Sequence, residues 1–240
     1  MGNLKKRALQ MIQSQQDEYI KDGLVLWLDG ESQLDDSSII NRWKDLSGNA
    51  YQAELQNVVK NADSISFNDV DSLGIISSSV AGGVLAGICE RTIEIVCKLN
   101  NTDNIQVIFL GAGKTTPAEN SAAGLWYRPA SKGLKVGTSD AQCPSLVTSD
   151  SLLGRASYSI VYGDTDLNDY VLYQNGTECQ KGTAEGSMYN PTYTTIGCRY
   201  YNSYSYRFSG EICCIRVYDR KLSVAEREHN LQIDRRRFDF

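Results

Sequence analysis

Tyr206-Arg-Phe-Ser-Gly-Glu-Ile-Cys-Cys-Ile-Arg-Val-Tyr-Asp-Arg-Lys-Leu-Ser-Val-Ala-Glu-Arg-Glu-His-Asn-Leu231 reads as a strand followed at once by a helix. Ile212, Cys214 and Arg216 alternate with Cys213, Ile215 and Val217, and their β-branched content suits a pleated sheet better than a helix. Ser223 stands three residues before Glu226. At that spacing a hydroxyl caps one backbone N–H while the carboxylate returns to cap another. The stretch therefore predicts a β domain that closes with one strand and a short C-terminal helix.

Upstream, short β-rich runs are bounded by Gly, Asn, Asp and Ser: 92–98, 105–110, 124–128, 157–162 and 170–173. Asn175-Gly176 follows the last of these and is a strong hairpin signal, because both central positions of the favoured turn need positive φ. No long linker and no internal repeat interrupts the chain beyond Asp22. Many short strands with almost no helix specify an all-β, two-sheet antiparallel sandwich.

Phe208-x-Gly210-x-Ile212-x-x-Ile215-Arg216-Val217-Tyr218-x-Arg220-x-Leu222-Ser223-x-x-Glu226 resembles the C-terminal signature of concanavalin A-like, laminin-G-type jelly rolls. Gly23-Leu-Val-Leu-Trp-Leu-Asp-Gly30 resembles the opening strand of that family. Trp43-x-Asp45-x-Ser47-Gly48-Asn49, with Ala53 and Leu55, resembles its next turn, and Leu172-Tyr173-x-Asn175-Gly176 its central hairpin. The resemblance runs from about Asp22 to Asn230 and implies a jelly-roll domain over residues 22–240 whose first and last strands lie side by side. One fold hosts many sites, so the site must be argued residue by residue.

Residues 1–21 differ in kind. Leu4, Ala8, Met11 and Ile12 recur at helical spacing, joined by Tyr19, while Lys5, Lys6, Gln13, Gln16 and Asp17 take the other side. The pattern predicts an amphipathic N-terminal helix that either packs on the sandwich or anchors it to a neighbouring subunit.

The 240 residues suffice for one substantial core, and the net charge of −5 disfavours a nucleic-acid surface, which needs a basic stripe. Basic residues gather at the two ends, Lys5-Lys6-Arg7 and Arg235-Arg236-Arg237, which read as solvated tails or contacts to an acidic partner. The sequence has no apolar run of transmembrane length and no h-region of a signal peptide near Met1. The seven cysteines are odd in number and not spaced for zinc, which points to reduced, buried thiols. Cys213 and Cys214, adjacent on a regular strand, are expected to face opposite sides.

Several motifs suggest chemistry. Gly111-Ala-Gly-Lys-Thr-Thr116 resembles a phosphate loop but lacks its first glycine, Ile108 standing there. Asp164, Asp166 and Asn168 have the alternate spacing of a calcium loop, without the Gly and Glu that complete it, so no cofactor is expected beyond an incidental calcium. Glu90 and Glu94 are four apart, as in laminarinase-type glycosidases, where two acids on one strand face attack and protonate a glycosidic bond. The acid between them in that family is Thr92 here, so Glu90 and Glu94 are expected to face a cleft and bind ligand without catalysis, or to be two surface acids beside Arg91. A lone histidine, His229, rules against a nucleophilic triad. Tyr189, Tyr193, Tyr200, Tyr201, Tyr204 and Tyr206 form a cluster suited to sugar faces. Within it, Tyr201, Asn202 and Ser203 are expected to bind ligand at a tip, and Tyr200, Tyr204 and Tyr206 to be half-buried strand residues.

The resemblance and the missing acid favour a non-enzymatic binding or structural module over a polysaccharide-cleaving hydrolase of the same fold. Phage and bacterial particle proteins carry such jelly rolls. The expected setting is a virion assembled in a host cytoplasm, with residues 1–21 touching other virion subunits and the sandwich holding cell-surface or mucosal glycans. No nucleic-acid or membrane partner is expected.

Overall fold

Gly210–Tyr218 is the strand around which the larger sheet is built. One side pairs antiparallel with Arg91–Leu99. The other pairs with Ile65–Phe67 through Gly210–Ile212 and with Leu24–Asp29 from Cys214 to Tyr218. First and last strands thus lie side by side, as expected. A computed structural model describes residues 18–31, 41–77, 84–85, 90–112, 124–129, 133–136, 152–163, 169–183, 193–201 and 203–240.

The larger sheet continues from Arg91–Leu99 through Ala156–Tyr162 and Asp169–Gln174 to Thr177–Thr183, and ends on its other side at Val59–Lys60. A second sheet runs Gly133–Val136, Gly124–Arg128, Gln106–Ala112, Tyr193–Ile196, Leu73–Ser77, Ala53–Gln56 and Arg42–Trp43. The pairings in both sheets are antiparallel. Ile93, Ile95, Ile160, Leu172, Ile215 and Val217 of the first sheet meet Ile76, Phe109, Leu125, Tyr127 and Leu134 of the second in one apolar core. This is the jelly-roll sandwich that the sequence predicts.

The landmark motifs have physical reasons. The Asp45 carboxylate accepts from the backbone N–H groups of Trp27, Ser47 and Tyr51 and from the Ser47 hydroxyl, which locks the turn to the first strand. Gly48 beside it has φ +94°. Asn175 and Gly176 have φ 50° and 85°, the positive pair expected of the hairpin. A side chain at Gly210 would collide with the Lys98 carbonyl and the Phe208 ring, so the Phe208-x-Gly210 spacing is steric.

Simple alternation fails at one point in the last strand. The register with Arg91–Leu99 shifts between Ile212 and Cys214, a β-bulge that leaves Cys213 extra. As a result Cys213 and Cys214 both join an outer cluster with Val96 and Phe238, while Ile212, Ile215 and Val217 face the core. The expectation that the two cysteines face opposite sides is corrected by this bulge. Cys97, Cys179, Cys198, Cys213 and Cys214 are free thiols, and burial pushes Cys198 and Cys213 up to about 12.

The C-terminal helix Val224–Phe238 begins with the expected capping box between Ser223 and Glu226. It lies on the outer face of the larger sheet, burying Asn230, Leu231, Ile233, Asp234 and Phe238. The predicted N-terminal helix, with Leu4, Ala8, Met11 and Ile12, falls outside the described residues. Residues 18–21 are not helical. Tyr19 is buried with its hydroxyl donating to Asp234, and the Ile20 N–H donates to Asn230, so this segment belongs to the sandwich.

Candidate functional site

The two acids with glycosidase spacing are separated by the fold. Glu90 precedes its strand, is exposed and pairs with Lys221 at 3.5 Å. Glu94 lies within the strand on the outer face of the sheet, where the C-terminal helix covers it to 3 % exposure. Its Oε2 accepts from Arg216 Nε at 2.9 Å and from Asn230 Nδ2 at 2.8 Å. Burial raises the Glu94 carboxyl above the usual range, against the Arg216 charge and hydrogen bond that favour ionisation.

Arg216 is the hub of this layer and fully buried. It forks onto Asp234 at 2.9 and 2.7 Å, donates to Cys214 Sγ, and stacks 4.0 Å from the Tyr19 ring. Ser157 also donates to Asp234. Asn230 adds a bond to the Tyr218 hydroxyl at 3.0 Å. Every polar member has a partner, as a buried ionic group requires. This layer holds the helix to the sheet and presents no reactive group to solvent.

The tyrosine cluster gives a different geometry. Arg199–Tyr201 and Ser203–Ser205 form a separate two-stranded hairpin, with Tyr200 opposite Tyr204. Val107 N–H donates to the Tyr206 carbonyl and Arg207 to the Ser72 carbonyl, which fix its base to the second sheet. Tyr204 and Tyr206 are 37 % and 38 % exposed, and Ser203 is exposed. Arg207 lies 5.8 Å from the Tyr204 ring and Arg199 5.7 Å from the Tyr206 ring. The two rings thus sit close to the half-buried state expected of them, with somewhat over a third of each surface open. Asn202 and the Tyr201 and Tyr200 side chains fall outside the described residues.

A groove of about 430 Å³ opens beside Trp27 in the first strand, between Tyr19, Lys21, Glu31 and Arg237. Lys21 Nζ stands 4.0 Å over the indole, and Tyr19 meets it edge-on with centroids 5.5 Å apart. Arg237 forks onto Asp29 at 2.7 and 2.9 Å and reaches Glu31 and the Tyr19 hydroxyl. It is thus a structural residue and not part of a solvated tail. Sequence reasoning missed this groove, since its walls come from both ends of the chain. The candidate calcium loop Asp164, Asp166 and Asn168 and most of the phosphate-loop look-alike lie outside the described residues. Among the described residues no cluster of His, Cys, Asp or Glu is arranged to hold a metal ion.

A family model described as the concanavalin A-like lectin/glucanases superfamily matches residues 80–226. The chain belongs to this superfamily. Comparison with curated proteins gave no match. Among solved structures, Trypanosoma rangeli sialidase in complex with sialic acid is similar over 89 % of this chain and 33 % of its own, with TM-score 0.65 and 16 % identity. The binding domain of botulinum neurotoxin serotype D is similar over 89 % of this chain and 52 % of its own, with TM-score 0.60 and 15 % identity. The superfamily chain therefore spans about a third of the one and half of the other. At such identities the likeness is one of fold, a sandwich found both in an enzyme and in a binding domain.

Proposed function

We propose that the chain is a non-catalytic glycan-binding module whose contact surface is the hairpin 199–206. The observation that carries this reading is the pair of exposed tyrosines, Tyr204 and Tyr206, each with an arginine beside its ring. Flat rings stack on sugar faces at small entropic cost, and the guanidinium and serine groups around them can bind hydroxyls or a sugar carboxylate. Membership of a lectin-containing superfamily supports the reading, as does the likeness to a sialidase solved with sialic acid and to a toxin's binding domain.

Hydrolysis by the two-carboxylate route, the one that the Glu90 and Glu94 spacing suggests, would need both carboxyl groups flanking the sugar. Glu94 is sealed beneath the helix and bound to Arg216, which argues against it as nucleophile or acid. A glycan array probed with the wild type and with the Tyr204→Ala/Tyr206→Ala variant tests the proposal. Binding to a defined set of glycans should be lost in the variant while its melting temperature is kept. Silence of the wild type across the array, or product release from laminarin that disappears in Glu90→Gln, would sink it.

The same proposal places the module on a virion or comparable assembly, held through residues 1–17. The apolar spacing of Leu4, Ala8, Met11 and Ile12 supports this. Because Tyr19 and Ile20 are bonded into the sandwich, the informative truncation removes residues 1–17 and not 1–21. It should spare folding and abolish incorporation.

A further inference from the structure

We propose that the groove beside Trp27 is a binding site for alkylammonium groups, with the side chain of Lys21 as its built-in occupant. The site is independent of the hairpin. Its floor is preorganised: the Trp27 indole N–H donates to Asp29 Oδ2 at 3.2 Å, and Asp29 is buried and gripped by both Arg237 nitrogens. Tyr19 stands edge-on against the same indole, at 76°. The ring therefore cannot swing away, and its open face is where the Lys21 ammonium rests, 4.0 Å from the centroid. An indole face attracts cations through its quadrupole, most strongly where water is partly excluded.

The surrounding charges have the matching sign. Arg237 is bonded to both Asp29 and Glu31, and Glu18 lines the groove as well. With Lys21 lifted out, these three carboxylates outnumber the one guanidinium and leave the groove with a net negative charge beside the indole. Partial burial lowers the Lys21 pKa, Glu18 opposes the shift and Arg216 adds to it. A quaternary ammonium, whose charge is spread over methyl groups and binds water less tightly, loses less on entering the same place over the indole. The volume of about 430 Å³ lies within the range of roughly 300–1,000 Å³ usual for ligand pockets.

The test is a fluorescence titration of the full chain with tetramethylammonium chloride, with sodium chloride as the ionic-strength control. Trp43 and Trp126 are buried to 0 % and 5 % exposure, so the solvent-quenched signal belongs to Trp27. Saturable quenching by tetramethylammonium is expected in the wild type. Lys21→Ala should bind about two- to fivefold more tightly, because its internal competitor is gone. Glu31→Gln should bind more weakly, and Tyr204→Ala/Tyr206→Ala should be unchanged, which separates this site from the glycan proposal. A parallel titration with a lysine-containing tripeptide distinguishes a partner's lysine, if it binds the more tightly, from a free quaternary amine. Quenching equal to that of sodium chloride, or binding that weakens in Lys21→Ala, would overturn the proposal.

Discussion

The two faces of the larger sheet are buried by different means, apolar packing inside and, outside, a polar layer set beside the apolar cluster of Val96, Cys213, Cys214 and Phe238. On the inner face, Ile93, Ile95, Ile160, Leu172, Ile215 and Val217 pack against the second sheet. On the outer face of the same strands, Glu94, Arg216, Ser157 and Tyr218 meet Asn230 and Asp234 of the helix through hydrogen bonds and ion pairs. The inner contact is driven by apolar area and tolerates many arrangements of similar volume. The outer contact is satisfied in one position only, because a helix displaced by one turn would strand a buried guanidinium. Burial supplies cohesion on one side and positional definition on the other.

That contrast is broken most directly by Arg216→Ala, which leaves Glu94 and Asp234 buried without their cation. Stability should fall by about 3–5 kcal/mol in urea unfolding. Ile95→Ala on the inner face should cost about 2–5 kcal/mol through its cavity. The faces are told apart by rescue. Arg216→Met/Glu94→Leu/Asp234→Leu should recover most of the outer loss, since an apolar substitute for a buried ionic cluster is often neutral or better. Failure of that rescue would mean that the ion pairs contribute net stability of their own.

Next in size is the helix start. Ser223→Ala removes one arm of the capping box and should cost about 1 kcal/mol, measurable as a fall in melting temperature of a few degrees.

The smallest effect compares two carboxylates by pH. The hydrogen bond from Arg220 holds Glu226 down from 4.5 to about 2, so its stabilising contribution is present above about 4.5 and lost as pH falls toward 2. The melting-temperature advantage of wild type over Glu226→Gln should shrink across that window. Glu94, raised by burial, has the opposite slope: wild type should gain on Glu94→Gln as pH falls through its raised pKa. Parallel slopes for the two variants would contradict the assignment of one to an exposed pair and the other to a buried layer.

The sandwich was legible because its signals are local. The capping box, the Asn175-Gly176 turn and the alternation in 92–98 each depend on neighbours in sequence. The bulge at Cys213 was not, since two consecutive apolar residues give no sign that they share a face. Arg216 between Ile215 and Val217 did carry a signal: a charge in the middle of an apolar strand needs a partner, and Asn230 and Asp234 lie one helical turn apart. Which partner, and that Glu94 would be spent on it, depends on a contact between residues over a hundred positions apart in sequence. How much of Tyr204 and Tyr206 stays open was hidden for a related reason, because alternation reports a strand but not how far another layer covers it.

The stitching of Glu18 to His229, Tyr19 to Asp234 and Ile20 to Asn230 brings the incoming chain at residue 18 onto the outgoing helix. Residues 18–20 and the helix are thereby one unit of the fold. Fraying of either must break the buried hydrogen bonds that hold the other, so the two would open together and not one at a time.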